Sequence, residues 1–298
     1  MVKFLFSLLL IFSILHAEEF TLEPISEEDG SQLTEEVTQE ATPDLLQEKI
    51  RSLLGENPYA RHREFIKILF ADEDEFYINK RVDVAKVIET LKDNGLLELF
   101  FKKPRQMHLT FQSSGYPLFF VKIMSDTLQS MGYYRFITDR SKQDESGFFW
   151  TIRLTGEYAI DPILLRDALA KRGCSIVDIN RKTQTDWSYD IDMKKAYLML
   201  KELEPYTERV LKKSLYEHWL NVKSAKSLTI WSLSGNSWYP YVSIYDKELH
   251  LLKVYKRDKK TRKITLQLPE ETTYVKLADL YSLKNIKQGL RVQAKGTK

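Results

Sequence analysis

Catalysis needs reactive side chains at defined spacings, and this chain offers few. Beyond residue 17 the histidines are His62, His108, His218 and His250, and no two stand at the spacing of a metal-binding pair. A His-Glu-x-x-His helix is absent, and with Cys174 as the sole cysteine a thiolate zinc site has no set of ligands. His108 lies between Met107 and Leu109, so strand alternation turns it to solvent. Gly-x-Ser-x-Gly, Ser-x-x-Lys and glycine-rich phosphate loops are missing, which leaves no marked serine nucleophile or nucleotide site. Cys174 directly follows a helix-ending glycine, a place for a small buried residue; as a nucleophile it would need a histidine base that no spacing marks. Carboxylates are plentiful, so a pair for glycoside cleavage is compatible with the composition. Asp186, Asp190 and Asp192 lie close enough to suggest a cation, but they lack the glycine turn and terminal glutamate of a calcium loop and read as a solvated strand end. No metal and no cofactor is expected.

Two features suit binding. Between residues 253 and 263 seven of eleven residues are basic: Lys253, Lys256, Arg257, Lys259, Lys260, Arg262 and Lys263. At a hairpin tip these charges would converge and attract a polyanion in a salt-dependent way; the competing reading is a soluble, edge-protecting turn. The second feature is aromatic: Trp231 with Trp238, Tyr239, Tyr241 and Tyr245. Such rings stack on sugars or anchor a protein partner, or else fill the core of a small sandwich.

These residues need elements to hold them, and the middle of the chain carries a repeat. Glu89-Thr90-Leu91 runs to Gly95, Asp126-Thr127-Leu128 to Gly132, and Asp167-Ala168-Leu169 to Gly173, each followed four residues later by an apolar Leu99, Phe136 or Val177. The leucine faces the core one turn before the helix ends, and the glycine takes the left-handed position that closes it. Helices are expected over about 83–94, 117–131 and 161–172, with Asp161-Pro162 as cap and first turn. Two strand-like runs follow each: 96–101 with 107–112, 133–138 with 148–155, and 174–180 with 185–191. In the clearest, Phe148, Trp150, Ile152 and Leu154 alternate with Phe149, Thr151, Arg153 and Thr155. The expected fold class is therefore α+β: three helix-strand-strand units over 83–192, preceded by N-terminal helices over 44–82. One of those helices is expected over 59–70. A helical connector over 193–226, broken at Pro205, leads to a small basic all-β sandwich over 227–298.

At the N-terminus Lys3 precedes an apolar run from Phe4 to Leu15, and Leu15-His16-Ala17 meets Glu18-Glu19, the layout of a signal peptide over residues 1–17. Twelve such residues make a helix of about 18 Å, short of the roughly 30 Å hydrocarbon core, so a retained anchor is not expected. Residues 18–43 read as a flexible acidic linker, and residues 18–44 hold ten acids and no Lys or Arg. Residues 227–298 hold 14 basic and 6 acidic residues, a net +8, against +3 for the whole chain. Weak, salt-sensitive contact between the two charged ends is expected.

With 43% hydrophobic and 29% charged residues, fibrous and wholly disordered classes are excluded. The expectation is an exported, periplasmic or secreted envelope protein without enzymatic activity and with no transmembrane segment in the mature chain. Its partner would be an envelope protein or an anionic glycan, not nucleic acid. The rival readings are a cell-wall polysaccharide hydrolase using paired carboxylates and a secreted adhesin.

Overall fold

Helices here start and stop where side chains or tight turns supply the missing backbone partners. In the computed structural model, which describes residues 44–296, Asp44 accepts from the Gln47 N–H and opens α1 (Leu45–Leu54). Asp83 does the same for α4 (Val84–Asp93) through the Lys86 N–H, and Asp161 for α6 (Pro162–Ala170) through the Ile163 N–H at 2.8 Å. Pro117 begins α5 (Pro117–Ser130), where its missing N–H costs nothing. The helix expected over 59–70 is divided at His62 into α2 (Glu56–Arg61) and α3 (Arg63–Leu69). A short hairpin, β1 (Tyr77–Ile78) with β2 (Arg81–Val82), leads into α4. The signal peptide, the acidic linker and its expected contact with the basic run lie outside the described residues.

The three repeat glycines end their helices in one way. Gly95, Gly132 and Gly173 have φ of 71°, 93° and 74°. Each donates its N–H three residues back, to Lys92, Gln129 and Ala170, while the next residue donates to Leu91, Leu128 or Leu169. This paired pattern satisfies two terminal carbonyls per helix, and each leucine is fully buried directly beneath its glycine.

The helices pack on a five-stranded sheet of β3 (Phe100–Ser113), β4 (Ile137–Asp144), β5 (Gly147–Tyr158), β6 (Ser175–Thr183) and β7 (Asp186–Asp192), in the order β4-β5-β3-β7-β6. All pairs are antiparallel except β3 with β7. Met107, Leu109, Phe111, Trp150, Ile152, Trp187 and Tyr189 share one core with α1, α4, α5 and α6, while the alternating residues form a polar, part-exposed face. The mixed α+β class is thus observed, with a correction to the units. The first helix is followed by one long strand instead of two: Leu96 and Leu97 are spent on the helix turn, and the register breaks between Phe100 and Arg105 instead of reversing. Pro104, which has no N–H to donate, lies in that break.

A second correction concerns residues 193–226, which contain no helix. β8 (Glu208–Leu211) and β9 (His218–Asn221) lie there instead and join β10 (Ser227–Ser232), β11 (Pro240–Tyr245), β12 (Leu251–Lys256), β13 (Lys263–Gln267), β14 (Tyr274–Asp279) and β15 (Leu290–Lys295). They form two antiparallel four-stranded sheets, β13-β10-β15-β8 and β12-β11-β14-β9, around a shared core with Trp238, Leu228, Val275 and Val292 at its centre. Leu215, one helical turn after the half-buried Leu211, is exposed, so no apolar helix face forms; pairing with β15 and β14, invisible in the local pattern, decides the strands.

The two halves meet through side chains. Tyr245, Leu249 and Tyr274 of the sandwich belong to the core of the helical half, and the Tyr274 hydroxyl accepts from the Leu198 N–H. Among the described residues no helix is long and apolar enough to cross a membrane.

Candidate functional site

The basic run does not form a hairpin tip. β12 pairs with β11 in one sheet and β13 with β10 in the other, so residues 257–262 cross between the sheets along one side of the sandwich. Backbone bonds fix the crossing: Arg257 N–H to Pro240 O, Thr261 N–H to Trp238 O and Ser232 N–H to Arg262 O, each 2.9–3.0 Å. Thr261 is buried and its hydroxyl donates to Lys259 O. Those anchors use backbone and one small side chain, which leaves Lys253, Lys256, Arg257, Lys259, Lys260, Arg262 and Lys263 all exposed. Among the described residues none of the seven makes an ion pair. The one acid in the run, Asp258, accepts a hydrogen bond from the Tyr281 hydroxyl.

The five aromatic residues share no single surface. Trp238 is fully buried and donates its indole N–H to Ala278 O, so it is core and not a binding ring. Tyr245 is also core, packed on Trp219. Tyr239 is half-buried against Tyr281, and Tyr241 sits opposite Lys256. Trp231 stands apart on the other sheet, between Lys263 and Arg291 of the neighbouring strands. The Lys263 Nζ is 5.5 Å and the Arg291 Cζ 4.7 Å from its ring centre.

The residues reviewed for catalysis have structural partners. Cys174 is buried, and burial above all pushes its thiol up to about 11, a poor nucleophile at neutral pH. His108 faces the polar side of the sheet beside Asp139, which also binds Arg153 at 3.1 Å. Asp186, Asp190 and Asp192 lie on alternate positions of one strand, and the Asp190 carboxyl is pushed up, first by burial and then by Asp178. Asp178 itself holds Lys49 at 2.8 Å. A cavity of about 130 Å³ reaches Asp178, Asp192, Asp83 and Arg81, below the size of an ordinary small-molecule pocket.

One cluster was not singled out from the sequence. Among the described residues, Asp246, Glu248 and His250 alone bring three potential ligand atoms within 4.8 Å. Their alternate spacing, Asp-x-Glu-x-His, was the available signal. Asp246 closes the turn from β11 to β12: one oxygen accepts from the Glu248 and His250 N–H groups and the other faces His250 Nδ1 at 2.7 Å. Tyr116 packs edge-on against that imidazole at 3.8 Å. A neighbouring cavity of about 770 Å³ lies between residues 196–200 and the sandwich, lined by Leu198, Met199 and Tyr274 with Lys223, Lys247 and Glu271.

No family model matches the chain, and no curated protein matches it. A solved structure, the infectious bursal disease virus VP2 subviral particle, aligns at 8% identity and a TM-score of 0.16, over 66% of this chain and 58% of that one. A likeness that slight carries no argument about fold or function.

Proposed function

We propose that the chain is an exported, non-enzymatic protein of the bacterial envelope that binds a polyanion along the basic crossing of its β-sandwich. The observation that supports this most directly is the set of seven exposed cations on a backbone-anchored crossing and the strand ends that flank it, none paired with a carboxylate among the described residues. Cations left unpaired in the folded state keep their field available to an incoming anion, and binding driven by that field weakens as salt rises. The compartment rests on the N-terminal layout of Lys3, the apolar run and Ala17.

The test is binding of the mature chain to immobilised heparin and to a neutral polysaccharide at low and moderate salt. Retention on heparin alone, lost with salt and reduced at least tenfold by Lys256→Ser, Lys259→Ser and Lys260→Ser together, is the expected result. All three positions are exposed, so the triple variant keeps its fold. Equal retention of the wild type and the triple variant would dismiss the reading.

A further inference from the structure

An indole on the outside of a sheet needs an explanation, because Leu228 and Ile230 of the same strand point inward and are fully buried. Trp231 is no part of the sandwich core. The register sets a row Lys263, Trp231, Arg291 and Val210 across β13, β10, β15 and β8. One end of this row is continuous with the basic crossing, since Lys263 directly follows it and Arg262 O accepts from the Ser232 N–H next to Trp231.

The two cations beside the indole differ in state. Arg291 is tied to Glu208 at 3.2 Å, so its guanidinium braces the ring and its charge is already matched. Lys263 has no carboxylate partner among the described residues, and its one side-chain neighbour of note is the ring. A carboxylate or sulfate bound by this ammonium would therefore bring the carbon skeleton that carries it against the indole. Simple polyanions have no such skeleton. Acidic sugars do: one edge carries the charge and one face is lined with C–H groups that pack on aromatic rings.

We propose that Trp231 and Lys263 form a seat for one acidic sugar unit of an anionic polysaccharide, its apolar face on the indole and its acid group on the lysine ammonium. This rests on the polyanion-binding reading above and gives it a chemical class. The remaining cations of the basic run, Lys256 to Arg262, attract the rest of the polysaccharide without selecting it.

The experiment compares heparin oligosaccharides with inorganic polyphosphate of matched charge at fixed salt. Wild-type mature chain, Trp231→Ala and Trp231→Phe are measured, with circular dichroism to confirm each fold. Trp231→Ala is expected to weaken glycan binding at least tenfold and to leave polyphosphate within twofold, and Trp231→Phe to recover most of the glycan loss. Equal effects of Trp231→Ala on both ligands, or none on the glycan, would overturn the sugar seat while polyanion binding stands. A wild type that binds neither polyanion would remove the underlying reading as well.

Discussion

Two aspartates with opposite environments give opposite responses to pH. Burial, reinforced by Asp178 and Asp192, raises the Asp190 carboxyl, so its charged form is penalised in the folded chain. The penalty sets in as pH rises above the unfolded value of about 3.9 and persists at neutral pH. Asp190→Asn should therefore leave stability at pH 7 unchanged or raise it, by about 0.5 kcal/mol or less, and lose that advantage below pH 4. Asp246 is different. Burial pushes its carboxyl up, but the bonds from His250 and the Glu248 and His250 N–H groups outweigh burial and lower it. Its contribution is present above about pH 3.9 and fades as pH falls through the lower folded value. Asp246→Asn should cost about 1 kcal/mol at pH 7 and less in acid. Thermal unfolding at pH 3.5 and 7 separates the two, and like-signed changes at pH 7 would contradict this account.

Among the elements, the three helix ends look alike in sequence but sit in different surroundings. Alanine at any of the three glycines must adopt a left-handed backbone, at about 1 kcal/mol. A Cβ at Gly95 or Gly132 would meet nothing within 4 Å, whereas at Gly173 it would run into the Lys195 carbonyl. Gly95→Ala and Gly132→Ala should each cost about 1 kcal/mol in urea unfolding, and Gly173→Ala more than about 2 kcal/mol. Three equal costs would show that Lys195 moves aside freely. The contact follows from the β6–β7 hairpin, which leaves Gly173 and brings the chain back beside it: the Tyr197 N–H donates to Arg172 O.

For the molecule as a whole, the sandwich keeps its own core but also lends three side chains to the core of the helical half. Tyr245, Leu249 and Tyr274 are buried among the residues of the helical half. Tyr274→Phe removes the acceptor of the buried Leu198 N–H and should destabilise by about 1–3 kcal/mol. Because sandwich side chains are buried in the core of the helical half, signals from Trp187 in one half and Trp238 in the other, isolated by replacing the remaining tryptophans with phenylalanine, should report one unfolding midpoint in urea. Two midpoints would mean that the halves open independently. The sandwich half is basic: residues 227–298 carry a net +8, and four of their cations, Arg257, Lys259, Lys260 and Arg262, are exposed on the crossing.

Much of this was legible in local sequence because the forces involved are local. Asp161-Pro162 fixes a helix start through the Ile163 N–H, the Leu-x-x-x-Gly endings need only their own turn, and the alternation of Phe148 to Leu154 assigns a strand and its buried face without knowledge of its neighbours. The seven basic residues were likewise visible as a run, and exposure of long cations needs no special fold. The tertiary structure alone decided what depends on pairing across long separations. β8 and β9 exist because β15 and β14, more than fifty residues later, complete their backbone bonds; their own residues have no pattern that forbids a helix. The crossing is not a hairpin because β12 and β13 find partners in different sheets. The tertiary fold also separated the aromatics: pairing sets Trp231 on the outer face beside Lys263 and Arg291, and the connection from β10 to β11 folds Trp238 into the core. Hydrophobicity is the same for both indoles; the sheet register turns Trp231 outward, whereas Trp238, in the connection between β10 and β11, is held inside by its bond to Ala278 O.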